Sequence, residues 1–108
     1  MHQLRKALAV VIASMGLAQS SAYAADSYLG GTMTNITSTP AGLMIMLDSG
    51  VPTNCTGTGY GWMLIPEANK TMIATALTMW VTGQRGVVVY TNGYNGQSFC
   101  VINQFDPN

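Results

Sequence analysis

The chain has 108 residues, of which 48% are hydrophobic and only 7% charged, with four Lys or Arg, four Asp or Glu, one histidine and two cysteines. Soluble domains ordinarily carry about a quarter charged residues, so threonine, asparagine, glycine and serine must supply most of the polar surface here. The balance excludes the basic face that a nucleic acid or an anionic membrane surface would require.

Arg5 and Lys6, the apolar run Ala7-Leu8-Ala9-Val10-Val11-Ile12-Ala13 and the small-residue site Ala22-Tyr23-Ala24 follow the order of a secretory signal peptide. A membrane anchor is the alternative. The stretch from Ala7 to Ala18 is interrupted by Ser14 and Gly16, and it falls short of the roughly 20 residues a spanning helix needs. Residues 1–24 are therefore expected to be cleaved, leaving 25–108 as one secreted or periplasmic domain with no membrane insertion. Cleavage removes His2, Arg5 and Lys6. Two cations, Lys70 and Arg85, then face four carboxylates, Asp26, Asp48, Glu67 and Asp106, for a formal charge of −2.

Cys55 and Cys100 allow a single pairing, and in an oxidising compartment they read as a structural disulfide. A redox-active pair would call for a C-x-x-C spacing and a neighbouring cation to lower a thiol pKa; neither is present.

In chain order, residues 25–29 read as a frayed start and residues 31–37 as a threonine-rich strand. The breakers Pro40 and Gly42 follow, and then Leu43-Met44-Ile45-Met46-Leu47, an apolar run whose length favours a buried strand paired in a hairpin with the first. Residues 53–61 form a polar, glycine-rich loop pinned at Cys55. The loop lacks the G-K-[ST] and the cation of a phosphate cradle. Trp62-Met63-Leu64-Ile65 is a third strand ended by Pro66.

From Glu67 to Thr82 the period turns helical, with Met72, Ile73, Ala76, Leu77, Trp80 and Val81 as the expected apolar face, Asn69 as N-cap and Gly83 as the residue past the end. Thr71, Thr75, Thr78 and Thr82 fall in a stripe on the other side, expected to face solvent, with partner packing or a pore lining as the alternatives. Gly86-Val87-Val88-Val89-Tyr90-Thr91 is the clearest strand, Asn92-Gly93 is a tight-turn signal, and residues 99–105 form the last strand.

The order strand, strand, strand, helix, strand, strand predicts an α+β domain: a small five-stranded antiparallel OB-like barrel or sheet with one helix between strands 3 and 4. Consecutive apolar positions in several strands require both faces to be covered. One helix covers only part of one face, so the sheet is expected to curl into a barrel or to bury the remainder against another subunit.

The predicted mature domain lacks the imidazole of a Ser-His-Asp or Cys-His catalyst and of a histidine-based metal site, and its cysteines are spent on the bridge. A carboxylate pair such as Asp48 and Glu67 is the remaining enzymatic option, but each fits a turn or helix-start role. No catalytic residue, metal ligand or cofactor is therefore expected. Neutral polar recognition is better supplied: Tyr60 and Trp62 flank one glycine-rich loop, while Tyr90 and Tyr94 flank another that carries Asn92, Asn95, Gln97 and Ser98. Aromatic faces beside amides suit sugar hydroxyls or peptide backbones. The expected ligand residues are Tyr90, Asn92, Tyr94, Asn95 and Gln97, with turn chemistry and core packing as the structural explanation for the same residues.

The element order, the bridge into the last strand, and the stretch from Ala76 through Thr82-Gly83-Gln84-Arg85 into Val87-Val88-Val89-Tyr90 resemble the OB-fold-like B-subunits of pentameric bacterial toxins. The chain also resembles small secreted bacterial proteins with a G-T-x-T-x-I start. The resemblance spans most of residues 31–105 and transfers no individual site residue. It implies an OB-like barrel, homo-oligomerisation and glycan binding. The functional expectation is an exported non-enzymatic binding module for a glycan or a protein partner. A structural or envelope-associated protein without a small ligand is the alternative.

Overall fold

The structure, a computed structural model, describes residues 27–108, so the segment read as a signal peptide lies outside the described residues. Among the described residues, five strands, β1 (Ser27–Thr39), β2 (Gly42–Leu47), β3 (Met63–Pro66), β4 (Gly86–Thr91) and β5 (Cys100–Pro107), are accompanied by one α-helix, α1 (Lys70–Thr82), between β3 and β4. No helix among the described residues is long and apolar enough to cross a membrane.

β1 begins earlier than its composition predicts, because it serves two partners in succession. Its first half, Ser27 to Thr32, pairs with β4, and its second half, Met33 to Thr39, pairs with β2. A register irregularity between Met33 and Asn35 marks the handover; bulges of this kind bend and twist a strand. The turn after β2 clamps the same place. The Thr32 amide donates to Asp48 Oδ1 at 2.8 Å and Ser49 Oγ donates to the Gly30 carbonyl at 2.9 Å. A Cβ on Gly31 would lie 2.2 Å from Ser49 Oγ, so the clamp closes only over glycine.

The pairing order runs β1-β2-β3-β5-β4 and returns to β1. The expectation of a wholly antiparallel sheet is corrected at one junction: β3 and β5 pair in parallel through Met63 with Cys100 and Leu64 with Val101. The reason is parity. Strands in a closed ring can alternate direction throughout only if their number is even, so a ring of five must contain a parallel pair.

The interior is filled by Met33, Leu43, Ile45, Leu47, Met63, Ile65, Val87, Val89, Ile102 and Phe105, with Ala76 and Met79 of α1 joining them. β4 alternates buried and half-buried positions, whereas β2 and β3 are buried at nearly every position. The doubly apolar strands owe this to an outer layer. Met44, Leu64, Val101, Cys55 and Cys100 are buried although they lie outside the interior cluster, and Met44 and Leu64 meet Phe99 and Pro40 around one groove. A Cβ on Gly59 would come within 3.2 Å of the Phe99 ring.

α1 starts at Lys70, directly after the expected N-cap Asn69, and ends at Thr82, capped by Gly83, whose φ of 81° is the left-handed cap geometry. Asn69 holds the N-cap position without a side-chain capping bond. The buried stripe of α1 is Ala76 and Met79, with Met72, Ile73 and Trp80 half-buried. Leu77 and Val81, expected on that face, are 43% and 78% exposed. The helix meets the sheet mainly along β5, and one neighbour covers too narrow an arc to reach both flanks. The threonine stripe is largely exposed, with Thr75 Oγ1 donating to the Thr71 carbonyl and Thr82 Oγ1 to that of Thr78.

Candidate functional site

The expected disulfide is present: Cys55 and Cys100 are bonded, with Cα atoms 5.2 Å apart and both residues fully buried. It fixes the 53–61 loop to the start of β5, and three polar contacts reinforce it. Thr58 Oγ1 donates to the Trp62 carbonyl at 2.7 Å and accepts from the Cys100 amide at 3.2 Å. Asn54 Nδ2 donates to the Thr91 carbonyl at 2.7 Å, and the fully buried Thr91 hydroxyl donates back to Asn54 Oδ1. The Tyr94 phenol donates to the Thr56 carbonyl at 3.1 Å, with that of Cys55 at 3.3 Å.

Of the five expected ligand residues, Tyr94 is therefore engaged in holding two loops together. Asn95 Nδ2 donates to Asn92 Oδ1 at 2.9 Å, and Asn95 takes a left-handed φ of 51°, so this pair shapes its own turn. Gln97 borders a separate groove of about 290 Å³ whose floor is apolar, formed by Met44, Leu64 and Phe99 under Pro40. Tyr90 stands apart from all four on the outer wall. The five residues are near in sequence, yet the structure distributes them over three places.

Tyr90 is where aromatic and polar side chains assemble, from partners distant in the sequence. Its Cα pairs across the ladder with Tyr28 on β1 and Gln104 on β5. Directly opposed residues on one face lie close enough for their side chains to meet, and the Tyr28 and Tyr90 rings are 5.8 Å apart between centroids, tilted by 35°. Tyr28 is 69% exposed. The Asp106 carboxylate lies near enough to act on the Tyr90 phenol, and Gln104 Nε2 donates to Asp106 Oδ1 at 3.2 Å. Desolvation of the phenol, then the charge of Asp106, raise the Tyr90 pKa above its ordinary value of 10.0. The group is thus a neutral hydroxyl over the whole physiological range. The result is a strip of two aromatic faces, one carboxylate and one amide across β1, β4 and β5.

The strip runs into a hollow of about 550 Å³ between the start of α1 and β5, lined by Asn69, Lys70, Met72, Thr75, Gln104 and Phe105 among others. That size falls within the range of small-ligand sites. Signals for the strip exist in the sequence. Tyr28, Gly30 and Thr32 alternate with Leu29, Gly31 and Met33, and Val88 and Tyr90 alternate with Val87, Val89 and Thr91. What the sequence could not supply is that the two alternations face the same way.

Each described carboxylate has a local partner: Asp48 the Thr32 amide, Glu67 the Lys70 ammonium, Asp106 the Tyr90 and Gln104 side chains. Among the described residues, no three His, Cys, Asp or Glu side chains converge as a metal site would require. Comparison with protein-family models, with curated proteins and with solved structures found no match to this chain.

Proposed function

We propose that this protein is an exported, non-enzymatic binding module on an OB-like barrel, and that its outer wall at Tyr28 and Tyr90 recognises the hydroxylated surface of a glycan. One observation carries the reading: two tyrosine faces stand side by side on an exposed sheet wall next to a carboxylate and an amide. An aromatic face takes up the apolar C–H side of a pyranose. A carboxylate accepts from two hydroxyls, and an amide both donates and accepts.

Three further observations support parts of this reading. The buried disulfide fits the oxidising compartment that export implies. The closed pairing order fits an OB-like barrel. The exposed Leu77 and Val81, beside the half-buried Trp80, fit contact with another subunit, since apolar patches of this kind mark association surfaces.

A glycan array probed with residues 25–108, followed by titration of any hit, tests the function. Tyr28→Ala is expected to weaken binding by tenfold or more, because Tyr28 is mostly exposed and its removal spares the core. Retained affinity in Tyr28→Ala and Tyr90→Ala would reject the wall as the site. Light scattering on the same sample tests assembly; a strict monomer rejects the oligomeric part and leaves the wall untouched. A defined oligomer that binds no glycan would favour the structural, envelope-associated alternative.

A further inference from the structure

The wall and the hollow beside α1 are linked through one residue. Gln104 holds Asp106 on the wall side and lines the 550 Å³ hollow on the other. Tyr28, Tyr90 and Gln104 sit opposite one another on three successive strands, and two inter-strand spacings span about 10 Å, longer than one pyranose ring. Beyond Gln104 the hollow continues with an apolar floor of Met72 and Phe105 and polar sides from Asn69, Thr75 and Lys70.

From this continuity we infer that the ligand is a neutral oligosaccharide of at least two units, one stacked on Tyr28 and Tyr90 and the next seated in the hollow at the start of α1. The inference rests on the glycan reading above and extends it. The direction is set by hydrogen-bonding capacity. On the far side of Tyr28 lies another hollow, of about 340 Å³, walled by Leu29, Val51 and Pro52. Apart from the Tyr28 phenol, its hydroxyls, Ser27 and Thr53, are bonded to each other at 3.0 Å, so it offers a sugar less than the amides and hydroxyls at the start of α1 do. The neutrality follows from charge. Asp106 contributes a negative charge to the strip, and the ammonium of Lys70 is already paired with Glu67. An acidic sugar would meet repulsion at Asp106 without a free cation in return.

The test is a titration, followed by NMR shift changes, of glucose, cellobiose and cellotriose and of galactose and lactose, with a glucuronate-terminated disaccharide as the acidic arm. Thr71→Arg is the diagnostic variant. Thr71 lines the hollow from an exposed helix position, and arginine is the better helix former, so the change fills the hollow without disturbing the fold. In at least one of the two neutral series the disaccharide is expected to bind tenfold or more tightly than its monosaccharide. Thr71→Arg should abolish that gain while leaving the monosaccharide shifts at Tyr28 and Tyr90 in place. Equal affinity for one and two units, or a disaccharide gain that survives Thr71→Arg, overturns the extended site alone. Equal or tighter binding of the acidic disaccharide overturns the neutral assignment. No binding in either series overturns the glycan reading and the inference together.

Discussion

Replacing both Cys55 and Cys100 by alanine is expected to lower stability by about 4 kcal/mol. The bridge spans a sequence separation of 45 residues, and closing a loop of that length removes on the order of 13 cal/mol/K from the unfolded chain, or about 4 kcal/mol at 25 °C. At roughly 0.05–0.15 kcal/mol per residue, a domain of this size has about 4–12 kcal/mol in total, so the bridge accounts for a third or more of it. The position of the bridge argues that the loss is not recovered elsewhere. Both cysteines are fully buried, and alanine leaves their surroundings underfilled. Urea titration monitored by Trp62 and Trp80 fluorescence measures the difference. The variant should unfold with a steeper denaturant dependence, because its unlinked chain exposes more surface. A loss below about 1 kcal/mol with an unchanged slope would refute the chain-entropy reasoning.

Gly42→Ala and Gly83→Ala separate strain from collision. Both glycines have positive φ, 145° and 81°, but a Cβ at Gly83 meets open space while one at Gly42 would lie 2.1 Å from the Ile65 carbonyl oxygen. Thermal denaturation should show a cost of about 1–2 kcal/mol at Gly83 and about 3 kcal/mol or more at Gly42, where overpacking adds to the strain; equal costs would contradict the register of β2 on β3. Asn54→Ala strips the buried Thr91 of its side-chain partner, for an expected loss of about 1–3 kcal/mol in urea titration, with Thr91→Val in the same background restoring part of it. Tyr90 has a raised pKa, so its neutral form is the one the fold favours. That contribution is complete below pH 10 and is lost as pH rises through the higher folded value. Ultraviolet titration of phenol ionisation, with Tyr90→Phe to assign the signal, should place Asp106→Asn at a lower midpoint; an unmoved midpoint would show that Asp106 does not act on the phenol.

Local signals in the sequence identified the elements whose causes are local. The run Leu43–Leu47 is a buried strand because all its residues are apolar, and Gly83 ends α1 because only glycine takes a left-handed cap without strain. The disulfide followed from a count of two. What escaped detection depends on partners distant in the chain. Ser27 to Gly30 carries no strong strand signal; it is ordered by β4, whose residues 88–91 lie far downstream. The parallel β3–β5 junction is a property of the closed ring, not of either strand. Val81 has the spacing of a core residue and lies outside only because α1 has a single main neighbour. The loop at residues 92–98 carries amides and one tyrosine, Tyr94, that the structure spends largely on internal bonds. Tyr28, Gln104 and Asp106 are not legible as a group for the same physical reason, since each is unremarkable until strand pairing places it beside Tyr90.

The two walls of the ring differ in how their outer faces are covered. Over β2, β3 and the first residues of β5, the outer face is apolar and covered by loops fixed through Cys55 and Cys100. Over β1, β4 and the last residues of β5, no such layer is built among the described residues, and outward positions include Tyr28, Val88, Tyr90, Gln104 and Asp106. β5 crosses from one regime to the other, buried at Cys100, Val101 and Ile102 and exposed at Asn103 and Gln104. A charge-poor chain cannot leave both walls bare, because the apolar outer side of β2 and β3 would then be exposed to water. Covering that wall takes up the loops and the Cys55–Cys100 disulfide, and the tyrosines aligned by strand register stand on the opposite wall.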